Sequence, residues 1–196
     1  MKRAFDLLFA ALGLVLLAPI FFVIALLIKL DSRGAVFYRG ERVGQHGRPF
    51  RIFKFRTMRP DAEVVGGTST GHNDPRVTRV GRWLRAYKLD ELPQLLNVLR
   101  GEMSIVGPRP EVEEHTSAYT EEEKIILSVL PGITDYASMR FINLSELIGS
   151  DDPHRVFLER YRSEKNRLRV AYVRQRSFLG DLGIILRTFG KLLVRR

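Results

Sequence analysis

No charged residue occurs between Leu7 and Ile28, a run of 22 positions bounded by Asp6 and Lys29. Roughly 20 apolar residues are enough for a helix to cross the hydrocarbon core of a bilayer. Lipid offers the backbone no hydrogen-bond partner, so such a run must be helical. A cleavable leader is not expected, because the run is long and lacks a small-x-small site with a polar lead-out. Pro19 sits mid-run, where it removes one backbone donor and bends or breaks a helix. Cations flank both ends, Lys2 and Arg3 before and Lys29 and Arg33 after, so charge asymmetry sets no orientation. Two arrangements satisfy these facts. One is a kinked span; the other is a helix that enters, bends at Pro19 and returns to the same face.

The rest of the chain reads as one domain, 34–196, behind a membrane segment, 1–33. Net charge is +10, with a pI near 10.3. That balance points to polyanionic partners: nucleic acid, anionic lipid or phosphorylated ligands. The charge is uneven. Arg155 to Arg196 holds 12 Lys and Arg against the 3 acids Glu159, Glu164 and Asp181, whereas acids dominate Glu111 to Glu123. Cysteine is absent, which rules out disulfides and thiolate metal sites.

Short β-rich runs at Ala35–Tyr38 and Phe50–Phe55 enclose Gly40, Gly44, Gly47 and Pro49, and predict a hairpin. Residues 60–75 are Gly- and Pro-rich and read as a flexible loop. Arg76, Arg79, Arg82, Arg85 and Lys88 recur every third residue, one basic helical face opposite Trp83, Leu84 and Tyr87. This face either meets water or meets phosphates. Asp90 fits an N-cap, with Pro93 in the first turn and Gly101 closing the helix. Leu92, Leu95, Leu96 and Leu99 form its core face. Thr120 and Glu123 make a capping box. Region 131–152 mixes turns and short elements. Ser177 caps a last helix with Leu179, Leu182, Leu186, Phe189 and Leu193 on one face and Arg187, Lys191, Arg195 and Arg196 on the other. Such a cationic amphipathic helix suits a membrane interface; packing on the core is the alternative. The fold class is α+β, mainly helical, with a small hairpin and interfacial helices.

The chemistry concentrates at Asp90 and Glu91. Of two adjacent carboxylates, one can attack phosphorus while the other holds a divalent cation. Attack on an anionic diphosphate requires charge neutralisation, which Mg²⁺ and arginines supply. Arg85, Arg100 and Arg109 are the nearest cations in sequence, and Lys54 joins them if the hairpin folds over the site.

The block LDELPQL at 89–95 stands in order with FKFRTM at 53–58, MSIVGPRP at 103–110 and PGIT at 131–134. With the apolar N-terminus and the closing YVRQRSFLGDLGIIL, this resembles the bacterial sugar transferase family, the monotopic phosphoglycosyl transferases, over nearly the full chain. The resemblance is to the small form, without additional membrane or regulatory domains. It implies a re-entrant N-terminal helix kinked at Pro19 and a catalytic domain on the cytoplasmic face of the bacterial inner membrane. It also implies transfer of a sugar-1-phosphate from a UDP-sugar to undecaprenyl phosphate. In that scheme Asp90 is the nucleophile and Glu91 binds Mg²⁺ with Asp90 or assists proton transfer. Lys54, Arg85 and Arg109 match basic positions at the phosphates, and Arg140 is the nearest equivalent of a family arginine beyond Pro131. Membrane lipids are expected partners and nucleic acid is not. A homodimer through the C-terminal helices is compatible with the sequence but not demanded by it.

The chain departs from the family pattern in three places. Ala18 stands where a Ser often precedes the kink proline. GITDYASMRF replaces GITGWAQVNGR, which puts the sugar's identity in doubt. Arg169 stands where relatives carry an acid. Two other functions fit the residues. One is a non-catalytic, membrane-tethered basic protein that binds nucleic acid or anionic lipid; the other is a polyprenol phosphotransferase with a CDP- or ADP-linked donor.

Overall fold

Lys2–Asp31 form a single helix, α1, that runs through Pro19 without interruption. The computed structural model describes residues 1–60, 62, 74–149 and 152–194. By length and composition α1 could cross a membrane, and little of it is buried. Small side chains mark its inner face: Ala10 is fully enclosed, and a Cβ on Gly13 would lie 3.1 Å from Leu95. Further along, Ile24 and Ile28 pack with Phe55 and Leu84. The other face exposes Leu8, Leu12, Val15, Leu16, Ile20, Phe22, Val23, Leu26, Leu27 and Leu30. Burying one such side chain is worth about 1.5–3 kcal/mol. Ten left outside make a surface that water disfavours and lipid accommodates.

Both ends of α1 are fastened to the domain. Near the start, buried Asp6 accepts hydrogen bonds from the Ser104 hydroxyl (2.8 Å) and the Ile105 amide (3.2 Å). Arg3 donates to the Val98 carbonyl at 2.7 Å. At the far end, Asp31 accepts from the Val80 amide (3.0 Å), and Arg56 donates to the Ser32 carbonyl (2.8 Å).

The expected hairpin forms as two short antiparallel ladders. Phe37–Tyr38 (β1) pairs with Lys54–Phe55 (β4), and Glu41–Val43 (β2) pairs with Pro49–Arg51 (β3). His46 (φ 57°) and Gly47 (φ 77°) make the left-handed turn between β2 and β3. Thr78 caps the next helix, α2 (Arg79–Ala86), by accepting from the Gly81 amide at 3.0 Å. The loop expected over 60–75 falls mostly outside the described residues. Of the basic stripe, Arg76 precedes α2 and binds Asp74, Arg79 and Arg82 are exposed, and Arg85 turns inward. Trp83 and Tyr87 face outward together, with ring centroids 5.7 Å apart.

Leu95–Leu99 (α3) follows, and Gly101 (φ 83°) ends it as expected. Its core face differs from expectation. Leu95, Asn97 and Val98 are buried, whereas Leu99 is 39% exposed. A helix of five residues is too short to hold a full apolar stripe, and the polar Asn97 side chain occupies the centre.

Ser104–Val106 (β5) and Gly132–Thr134 (β6) form a parallel pair that sequence periodicity did not reveal. Close approach requires glycine here: a Cβ on Gly132 would lie 2.0 Å from the Gly107 nitrogen. Glu113–Thr116 (α4) precedes the capping box, where Thr120 and Glu123 exchange bonds of 2.9 and 3.3 Å. The box opens only a tight 3₁₀ stretch, Glu123–Ser128. Tyr136–Arg140 (α5), Leu144–Leu147 (α6) and Pro153–Val156 (α7) are short. A π-helical segment, Phe157–Tyr161, joins α7 to Arg162–Gln175 (α8). Ser177 caps Phe178–Val194 (α9) through the Gly180 amide at 3.1 Å. Helix α9 buries Asp181, Ile184 and Ile185 while Leu179, Leu186 and Phe189 stay exposed. The chain is therefore mostly helical with three two-stranded sheets among the described residues.

Candidate active site

The LDELPQL segment forms a 3₁₀ turn, Leu89–Gln94, rather than the start of an α-helix. Lys88 stands at its N-cap position in the left-handed region (φ 57°), so Asp90 is not the cap. The left-handed step after α2 turns the chain and carries Asp90 inward to 7% exposure. A non-glycine residue there costs roughly 1 kcal/mol, a local strain that the packing of the turn against β4 offsets.

Asn97 holds the hairpin in place. Its side chain accepts from the Phe53 amide (2.8 Å) and donates to the Arg51 carbonyl (2.9 Å) and to Glu102 (2.7 Å). This places Lys54 over the carboxylates, with Nζ 3.2 Å from Glu91 Oε1. Arg109, from the GPRP turn after β5, grips Glu91 with both ends of its guanidinium: Nη1 lies 2.6 Å from Oε2, and Nη2 donates to Oε1. Arg85 donates to the Thr57 hydroxyl at 2.8 Å, and its charge acts on Asp90 and Glu91.

The two carboxylates are thereby made unlike. Burial and the Glu91 charge push Asp90 above the usual aspartate range, against the pull of Lys54, Arg85 and Lys88. Burial would also raise Glu91, but Arg109 and Lys54 outweigh it and hold Glu91 well below the usual range. Burial lowers Lys54, partly offset by Glu91. Asp90 Oδ1 is buried with no hydrogen-bond partner, as are both amide atoms of Gln94 on the same turn. Buried polar groups are nearly always satisfied, which sets these atoms apart from the rest of the turn. An unpartnered carboxylate oxygen beside a second carboxylate is a hard-oxygen donor set of the kind Mg²⁺ takes.

Not every expected cation joins the cluster. Arg140 is exposed and pairs with Glu164 (3.6 Å) rather than with either carboxylate, because α5 points it away along α8. Arg100 is exposed too, lying 4.7 Å over the Phe53 ring. Residues that the motifs did not single out form a second buried layer behind Arg109. Asp135 accepts from the Arg109 amide (3.3 Å) and caps α5 through the Ser138 amide (2.6 Å). Glu111 takes Arg169 and Lys165 (3.8 Å). Arg169, the departure from the family pattern, is 1% exposed and also donates to Asn166 at 3.2 Å. The signal for Glu111 and Asp135 was their position one residue beyond GPRP and PGIT, where a motif turn needs a side chain to fix it.

A buried, unequal carboxylate pair ringed by cations thus sits in the domain that holds both ends of the apolar helix α1. The chain belongs to the bacterial sugar transferase family, whose model matches residues 1–195, and is a transferase by that membership. It is 41% identical over 203 residues to an undecaprenyl-phosphate glucose phosphotransferase of Komagataeibacter xylinus, covering 100% of this chain and 36% of that protein. It is 37% identical to the exopolysaccharide production protein ExoY of Rhizobium meliloti (strain 1021), covering 100% of this chain and 86% of ExoY. A UDP-glucose:undecaprenyl-phosphate glucose-1-phosphate transferase of Caulobacter vibrioides is 41% identical, over 98% of this chain and 69% of that protein.

Proposed function

We propose that this chain transfers a sugar-1-phosphate from a UDP-sugar to undecaprenyl phosphate, as an initiating membrane step of polysaccharide assembly. The observation that carries the proposal is the unequal setting of Asp90 and Glu91 within the Lys54, Arg85 and Arg109 cluster. Relatives whose names state this reaction support it.

In this reading an Asp90 carboxylate oxygen attacks the sugar-bearing phosphorus. A new aspartyl O–P bond forms, the bond to UMP breaks, and its electron pair leaves with UMP. An oxygen of undecaprenyl phosphate then attacks the same phosphorus, and the aspartyl bond breaks to regenerate Asp90. The raised proton affinity of Asp90 makes its carboxylate the better nucleophile of the two once deprotonated. Glu91, already neutralised by Arg109 and Lys54, is the poorer one. Arg85 and Lys54 would bear on the developing phosphate charge. Asp90 and Glu91 would hold Mg²⁺, which supplies charge neutralisation on the diphosphate.

The contacts of α1 favour a re-entrant, monotopic placement, with the domain on one face, which the family resemblance makes the cytoplasmic one. Its start, middle and end all touch the same domain. A span from one face to the other would pull the basic domain, with its buried ion pairs, into the bilayer. The exposed Trp83–Tyr87 pair and the apolar stripe of α9 suit the interface.

The test is incubation with a panel of UDP-sugars with and without Mg²⁺, following UMP release and the intact mass of the protein. Wild type is expected to release UMP and carry a phosphosugar adduct. Asp90→Asn should do neither while folding and binding membrane normally. Near-normal turnover by that variant would overturn the nucleophile assignment.

A further inference from the structure

Outside the active site, one group of side chains among the described residues has the composition of a metal centre. Glu114 and His115 lie on α4, and His154 lies on α7. One donor atom from each falls within 4.8 Å of the other two. The imidazoles are stacked, with centroids 5.9 Å apart and 23° between planes, and His154 Nε2 lies 3.7 Å from Glu114 Oε1.

His115 supplies the second, independent observation. Only 9% of it is exposed, and its Nε2 is buried with no hydrogen-bond partner. Its other nitrogen, Nδ1, is 3.3 Å from Glu111 Oε2. A carboxylate on Nδ1 holds the proton there, which leaves the Nε2 lone pair available. This carboxylate–histidine relay is what orients imidazole ligands in metal sites. Glu111 is itself fixed by Arg169 and Lys165. The ring also packs against Phe157, 5.5 Å away, in the π-helical segment directly after α7. Segments of this kind are frequent at functional sites.

We propose that Glu114, His115 and His154 bind a divalent transition metal of the zinc class. Two imidazoles and one carboxylate are a donor set that zinc accepts, with the fourth position left to solvent. Mg²⁺ prefers all-oxygen ligands and is discriminated against. Metal–ligand bonds of about 2.0–2.1 Å put donors roughly 3.4 Å apart. The donors must therefore close in slightly from their present spacing. Glu114 and His154 are partly exposed and can rotate to do so, while His115 stays fixed. The metal would clip α4 to α7, beside the Glu111–Arg169 layer that backs Arg109. The proposal stands on this cluster alone and does not depend on the transferase chemistry.

The experiment uses the full, tag-free chain in nanodiscs, stripped of metal and titrated with Zn²⁺ by calorimetry. Expected is one ion per chain, undisturbed by a hundredfold excess of Mg²⁺, with a rise in melting temperature. Co²⁺ should give the intense visible bands of a low-coordinate site. His154→Ala, at a partly exposed position, should fold normally, weaken Zn²⁺ binding at least about tenfold and abolish both the bands and the melting shift. His115→Gln should do the same. Absence of Zn²⁺ binding by wild type, or unchanged binding by His154→Ala, would overturn the proposal.

Discussion

Replacing Arg109 by Met tests the electrostatic core of the site. The substitution removes both guanidinium bonds to Glu91 and leaves it Lys54, at 3.2 Å, and the weaker pull of Lys88. Losing one partner of a buried ion pair costs about 3–5 kcal/mol, because the other charge stays desolvated. Glu91 keeps 15% side-chain exposure and Arg109 has 28%, so water and Lys54 recover part of this. The expected loss is about 2–4 kcal/mol. For a chain of this length that lowers Tm by roughly 5–15 °C, measurable by circular dichroism in detergent micelles. Arg109→Lys keeps a charge but not the two-pronged grip and should lose less. Turnover of a UDP-sugar should fall about a hundredfold in Arg109→Met. A Met variant that melts within about 2 °C of wild type and turns over normally would refute the claim that Arg109 sets the state of Glu91.

Burial lowers Lys165 to about 8, partly offset by Glu111. Between that value and the ordinary 10.5, the unfolded chain binds a proton that the folded chain has shed. Wild type should therefore gain stability relative to Lys165→Met as pH rises through this window, by roughly 3 kcal/mol; a flat difference in denaturant midpoints would contradict it. Gly132→Ala would place a methyl 2.0 Å from the Gly107 nitrogen and force β5 and β6 apart, costing more than about 2 kcal/mol in a thermal melt. Asp6→Ala strands the Ile105 amide while the Ser104 hydroxyl keeps the Val106 carbonyl at 3.0 Å, for a loss of about 1–3 kcal/mol and faster amide exchange at Ile105.

Local rules read well wherever one residue type has one physical job. Gly101 at a left-handed position, the Thr120–Glu123 box and the Ser177 cap all appear where the pattern places them. The hairpin was legible because alternating apolar residues flank a glycine-rich turn. Asp90 was misread as a cap because acid before an apolar run is the usual cap signature. A left-handed Lys88 and a 3₁₀ turn leave no trace in periodicity. Arg140 was carried over by alignment past Pro131, where the chain departs from its family, and α5 turns it toward Glu164. Long-range pairings such as Glu111–Arg169 and Asp6–Ser104 join positions 58 and 98 residues apart, and no local pattern encodes them.

Those long-range pairings make β5 the link between the apolar helix α1 and the carboxylate pair. Asp6 fixes the front of β5, at Ser104 and Ile105. The Val106 carbonyl at its end accepts from Lys2 (3.1 Å) and from the Tyr172 hydroxyl (3.0 Å). The same hydroxyl shares its one proton with Asp181 of α9, 2.9 Å away, so α1, α8 and α9 meet at the end of β5. Three residues further, Arg109 grips Glu91. A shift of α1 along its axis must move β5 or break buried, charge-assisted bonds. Packed elements move as units rather than deforming continuously. The position of α1 therefore bears directly on where Arg109 stands, and whatever covers the apolar face of that helix acts on the site through β5.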